Sequence, residues 1–166
     1  MHRDAVTAAG AELVRFARSC GFIRGEWIAI DGTKFRAVAS IDSTRERLAL
    51  QRYLDSVEKA NEEQQASINL SAVQAALEKL KQHPEPEAGF MLFRQTALPA
   101  YNVQTAFDAE HALIVAHAVV LDASDIRCLM PMAEAAKRAL EVDTFQVVAD
   151  AGYSNGEQVA HCKRPV

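Results

Sequence analysis

Cysteine is scarce in this chain and irregularly placed. Three occur, Cys20, Cys128 and Cys162, far apart and without a C-x-x-C pair. An odd number at such spacing excludes a disulfide framework and a thiolate zinc site. It fits a reducing compartment, so a cytoplasmic setting is expected. A surplus of positive charge is also missing: 18 Lys and Arg stand against 22 Asp and Glu, a net charge of −4. That argues against a small dedicated nucleic-acid binder, though not against an enzyme whose local patches meet DNA. No long apolar run exists. The longest, residues 112–120, is broken by His117 and falls far short of the roughly 20 residues that span a bilayer. The opening MHRDAVTAAGAEL lacks the apolar stretch and cleavage site of a signal peptide. A soluble protein without a membrane partner is expected. Seven Gly and five Pro are no excess, and no internal repeat is visible, which excludes low-complexity and repeat architectures.

What is present is a core. Hydrophobic residues make up 49% of 166 residues, enough for one compact domain with a small appendage. Residues 4–20 predict a helix, capped by Asp4 and stopped by Gly21, with Val6, Leu13, Phe16, Ala17 and Cys20 near one stripe. Trp27–Asp31 reads as a short apolar strand. Residues 43–83 are rich in Glu, Gln, Lys, Ala and Leu and predict two amphipathic helices. The break falls near Gln65–Asn69, where Ser67 or Asn69 caps the second helix. His83-Pro84-Glu85-Pro86 ends it. Residues 89–99 read as loop. Residues 101–107 and 112–120 read as an antiparallel hairpin, the second strand apolar on both faces and so expected to be central in its sheet. Ser124 or Asp125 is expected to cap a helix running to Leu140, with Leu129, Met132, Ala133, Ala136 and Leu140 inward. A strand over Phe145–Ala149 and a helix from Ser154 or Asn155 follow.

Two segments share one grammar. Ile28-Ala29-Ile30-Asp31-Gly32 and Val147-Val148-Ala149-Asp150-Ala151-Gly152 are both apolar strands ending in Asp beside a glycine turn. A simple strand-to-turn aspartate accounts for either one alone. If the strands lie parallel and adjacent, both carboxylates emerge at one sheet edge. Carboxylates that close repel, and a divalent metal resolves the repulsion. Magnesium takes hard oxygen ligands, commonly one or two carboxylates plus substrate phosphates. Two such ions about 3.5–4 Å apart can activate the attacking oxygen and stabilise the leaving one in phosphodiester cleavage.

Three blocks carry a family resemblance. Ile30-Asp31-Gly32-Thr33-Lys34-Phe35-Arg36-Ala37-Val38 resembles the first-aspartate block of DDE transposases of bacterial insertion sequences. Tyr101-Asn102-Val103-Gln104-Thr105-Ala106, with Asp108-Ala109 and Leu113-Ile114-Val115, resembles the next block. Val148-Ala149-Asp150-Ala151-Gly152-Tyr153-Ser154-Asn155-Gly156 resembles the second-aspartate block. They occur in the family's order and span residues 20–162. The resemblance implies an α/β, ribonuclease H-like mixed sheet with an inserted α-helical hairpin, incomplete at the C-terminus. Its divisions would be 1–22 as an N-terminal helix, 23–42 with 96–166 as a partial catalytic domain, and 43–95 as the helical-hairpin insertion and loop. It further implies DNA transposition, with Asp31 and Asp150 as catalytic metal ligands for Mg²⁺ or Mn²⁺ in a two-ion site. Asp31 would bridge both ions and Asp150 bind one. The partners implied are transposon ends and target DNA, and self-association of the transposase.

The chain departs from the family pattern. The third acid, a glutamate on a helix well beyond the second aspartate, would lie past Val166, and Ala151 stands where a basic residue is common. A truncated, weakly active or inactive copy is therefore expected, and so is exposed apolar surface on the uncovered sheet. The alternative is a non-catalytic remnant that associates with or inhibits the full-length transposase.

Several other groups admit a structural and a functional role. Lys34, Arg36, Arg45, Arg47 and Arg52 form the densest basic cluster, and they either track a DNA backbone or form a solvated surface. Asp108, Asp122 and Asp125 suit turns or caps, or in principle replace the third acid. Tyr153 either packs on the sheet or orients a metal-bound water. His111 and His117 share a strand face if that strand begins at His111, and His161-Cys162 has no ligand spacing. An aspartate-nucleophile phosphatase needs an acid where Ala29 stands, and a sugar kinase needs a more glycine-rich phosphate loop.

Overall fold

A computed structural model describes residues 3–62, 69–83, 85 and 87–162. The elements run α1 (Arg3–Ser19), β1 (Trp27–Arg36), α2 (Ile41–Glu62), α3 (Leu70–Lys81), β2 (Gly89–Phe93), β3 (Thr96–Asp108), β4 (Ile114–Val120), α4 (Leu129–Leu140), β5 (Gln146–Ala149), a short 3₁₀ turn (Ala151–Tyr153) and α5 (Gly156–Cys162). Five strands form one open mixed sheet in the order β2-β3-β1-β5, with β4 paired to β3. β1 and β5 are parallel. β2, β3 and β4 form antiparallel pairs. The chain divides into two compact units, residues 1–33 with 102–166, and residues 34–101.

The first unit holds the main core. Ile28 and Ile30 of β1, Ala106 of β3, Met132, Ala136 and Leu140 of α4 and Tyr153 are all buried together. α1 and α4 pack on β4 at this side of the sheet, and α5 packs on α4. The alternation that sends Ile28 and Ile30 inward sends Trp27, Ala29 and Asp31 outward. On that outer side Trp27, Val119 and Val148 stay almost half exposed, so apolar surface is open there. In the second unit α2 and α3 pack against each other and share the Lys79–Glu46 ion pair.

Several expectations hold. α1 stops at Gly21, whose φ is 77°. Asn69 caps α3 by accepting from the amide of Ala72; Ser67 lies outside the described residues. The inward residues of α4 are the five expected. Asn155 accepts from the amides of Glu157 and Gln158 at the start of α5.

Others are corrected. Residues 89–99 are not loop: Gly89–Phe93 pairs with Thr96–Ala100 in a hairpin whose tight turn puts Arg94 at φ 55°. No Gly or Asn marks that turn, so its sequence gave no signal. β4 is not central. Among the described residues it pairs only with β3, and its apolar residues on the outer face are simply exposed. β1 does not end at Asp31 but continues through Gly32 to Arg36. Neither Ser124 nor Asp125 caps α4; the residue before that helix is Cys128, with no side-chain cap. His111 lies in the β3–β4 turn rather than on a strand with His117.

That turn is built around Asp108, which is 1% exposed. Its carboxylate accepts from the amides of Gly25 and His111 and faces His111 Nδ1 at 3.2 Å. Burial alone would push this carboxyl up, but the two amides and the imidazole outweigh it and hold it below its ordinary 3.8. A depressed folded value means that the stabilisation is complete above pH 3.8 and is lost as pH falls through the folded value. Asp108→Asn is expected to cost about 1–3 kcal/mol near neutrality. Its deficit should shrink below about pH 4, which urea unfolding across a pH series would read.

Candidate active site

The parallel register of β1 and β5 fixes the two acids. Trp27, Ile28, Ala29 and Ile30 stand opposite Gln146, Val147, Val148 and Ala149. One further step brings Asp31 beside Asp150, whose backbone is still extended at φ −74°, ψ 175°. Adjacent strands run about 4.8 Å apart, and paired residues project to one face. Both acids therefore leave the sheet on the same side and at the same end, and both side chains are exposed. Each is steadied locally. Asp31 Oδ1 accepts from the amide of Gly32 at 2.8 Å. Asp150 Oδ1 accepts from the amide of Gly152 at 2.8 Å. Thr105 Oγ1 donates to the carbonyl of Asp31.

Beneath this pair lies a buried polar network that the sequence reading missed. Tyr153, only 2% exposed, donates its hydroxyl to Gln104 Oε1 at 2.5 Å. Gln104 Nε2 donates to Asn102 Oδ1 at 2.8 Å and to Asp125 Oδ1 at 2.7 Å. Asn102 Nδ2 donates to the same Asp125 oxygen and to the carbonyl of Asp122. Asn102 and Gln104 are both fully buried. Their signal was their spacing: polar residues two apart on a strand share a face, and here that is the core face with Ala106. The network therefore needed partners, and Asp125 and Tyr153 supply them.

Gly32 sits directly over the network. A Cβ there would lie 2.3 Å from Gln104 Nε2, and 3.0 Å from both Asp125 Oδ1 and the Tyr153 hydroxyl. Glycine in mid-strand thus marks a close approach rather than a turn. The Tyr153 phenol is pushed well above its ordinary 10, first by burial and then by the charges of Asp125, Asp31, Cys128 and Asp150. It keeps its proton and acts as a donor.

No family model, curated protein or solved structure matches this chain. Its chemistry is read from its own geometry. The donor set suits a hard divalent cation: two exposed carboxylates, each with one oxygen held by a neighbouring amide and the other making no hydrogen bond among the described residues. Among those residues no third acid, histidine or cysteine joins them in a metal-binding group.

The remaining candidates fall elsewhere. Asp125 belongs to the network, and Asp122 pairs with Arg127. Lys34, Arg36, Arg45, Arg47 and Arg52 all belong to the second unit. There Arg45 pairs with Asp42, Arg47 donates to the carbonyl of Ala88, and Arg52 to that of Leu48. Cys128 is buried and Cys20 exposed, both free thiols. The side chains of His161 and Cys162 lie outside the description.

Proposed function

We propose that this chain is a transposase-type catalytic segment, built on a ribonuclease H-like sheet with a helical insertion between β1 and β2, that handles DNA phosphodiesters with Mg²⁺ or Mn²⁺. The observation that carries the reading is the β1–β5 register, whose last pair, Ile30 with Ala149, immediately precedes Asp31 and Asp150. The antiparallel β3–β4 pair and the helices packed on one side of the sheet support the same reading. When bound, the metal would polarise the scissile phosphate and lower the cost of charge on the attacking and leaving oxygens. Asp31 and Asp150 would hold it, oriented by the Gly32 and Gly152 amides. Lys34, Arg36 and Arg45 would contact phosphates, giving salt-sensitive binding of transposon ends and target.

A second reading has one observation in its favour: among the described residues no group of three or more acidic, histidine or cysteine side chains could hold a metal ion. The chain would then bind DNA or a complete transposase without cutting. Nicking of supercoiled plasmid separates the two. Slow, Mg²⁺-dependent nicking is expected, falling at least about 100-fold in Asp31→Ala, as for loss of a principal charge-stabilising group. An Asp31→Ala rate equal to the parent's would remove Asp31 from the chemistry.

A further inference from the structure

The second unit holds a cleft of about 290 Å³ between α2 and the C-terminal end of α3, far more than the roughly 30 Å³ that one water occupies in the liquid. Arg47 lines it from α2, and His83 from the residues that follow α3. Arg47 Nε and His83 Nε2 are both buried and make no hydrogen bond among the described residues. Both are donors. A guanidinium Nε always carries a proton. His83 Nδ1 accepts from the amide of Glu85 at 3.2 Å, which leaves the ring proton on Nε2. Arg47 Nη2 donates to the carbonyl of Ala88. The carboxylate in the lining, Glu46, pairs instead with Lys79 at 3.2 Å. Arg47 and Lys79 against Glu46 leave the lining one positive charge in surplus. A buried donor without an acceptor is costly, and a partly buried cation needs a counter-charge.

We propose that this cleft binds a small phosphate monoester, with its phosphoryl oxygens between Arg47 Nε and His83 Nε2. One oxyanion there supplies an acceptor to both nitrogens and a counter-charge to the guanidinium. Binding turns each nitrogen toward the cleft, which both side chains line and from which neither is sealed. Lys79 has donors to spare beyond its bond to Glu46 and adds a third contact at the same head group. Donors on opposite walls suit a tetrahedral group, which has oxygens on every side; a carboxylate presents both of its own in one plane. Leu50 and Leu80 complete the lining, and they offer an apolar wall to the organic part of the ester. Apolar walls with a few placed polar groups are the usual make-up of a small-molecule site. The cleft lies wholly in the second unit and is independent of Asp31 and Asp150.

NMR of the full ¹⁵N-labelled chain tests it, because the Arg47 Nε–H and the His83 ring each give a signal of their own. Titration with phenyl phosphate is expected to move both signals along one saturating curve. Inorganic phosphate should follow the same curve at higher concentration, and acetate should bind at least about tenfold more weakly than phenyl phosphate. Arg47→Gln and His83→Gln should each weaken phenyl phosphate at least about tenfold, read on the signal that remains. Lys79→Ala, at an exposed position, should weaken it about threefold or more without disturbing the fold. Arg52→Gln, on the same helix but outside the lining, should bind as the parent does. Shifts that never saturate, acetate acting as strongly as phenyl phosphate, or affinity unchanged in Arg47→Gln, His83→Gln and Lys79→Ala would each overturn the proposal. So would shifts that a short DNA duplex produces and phenyl phosphate does not.

Discussion

Gly32→Val is expected to destabilise the protein by about 3 kcal/mol or more, the range for overpacking combined with broken buried hydrogen bonds. Backbone conformation is not the cause; space is. The first added carbon would stand 2.3 Å from Gln104 Nε2. Gln104 is fully buried and held by Tyr153, Asn102 and Asp125. To yield, it must release those bonds and strand their partners away from water. Gly32→Ala should already show much of this loss. Gly10→Ala is the control, since a Cβ there meets nothing within 4 Å and replaces glycine inside a helix; it should be neutral or stabilising. Urea unfolding of the three variants reads the order directly.

The second large effect is expected at Tyr153, the largest of the fully buried side chains. Tyr153→Ala should cost about 3–5 kcal/mol through the cavity it leaves. That is a large share of the stability of an ordinary domain, about 5–15 kcal/mol. Tyr153→Phe separates packing from hydrogen bonding. It keeps the ring and leaves only Gln104 Oε1 without its donor, so about 1–2 kcal/mol should be lost. A Phe variant as unstable as the Ala variant would show that the hydroxyl, and not the ring, holds this part of the core.

Helix burial was legible only in part: in α1 the residue buried is Val14, while Val6, Leu13 and Phe16 of the stripe read from the sequence stay mostly exposed. α4 is the clear case, with Leu129, Met132, Ala133, Ala136 and Leu140 all inward as the spacing predicts. The two strands that lead into Asp31 and Asp150 were legible because an apolar run meeting a charge is a local pattern, although β1 runs on past Asp31 to Arg36. β2 was not, since a tight turn at Arg94-Gln95 carries none of the residues that normally mark one. The place of β4 in the sheet was misread: an apolar strand suggests coverage on both faces, but neighbours along a sheet are set by topology rather than by the strand's own composition. The network of Asn102, Gln104, Asp125 and Tyr153 joins four positions from three segments. Its members looked like separate turn, strand and packing residues until the fold brought them under Gly32.

The central claim is that Asp31 and Asp150 hold one cation between them, and paramagnetic Mn²⁺ tests it with least intervention. Titrated into the ¹⁵N-labelled chain, Mn²⁺ is expected to broaden the amide signals of Gly32 and Gly152 together and first, because each amide bonds one of the two carboxylates. Asp31→Asn should reduce both effects, including the one at Gly152, in the 3₁₀ turn that follows the neighbouring strand. Broadening of one glycine without the other, or broadening unchanged in Asp31→Asn, would contradict the account.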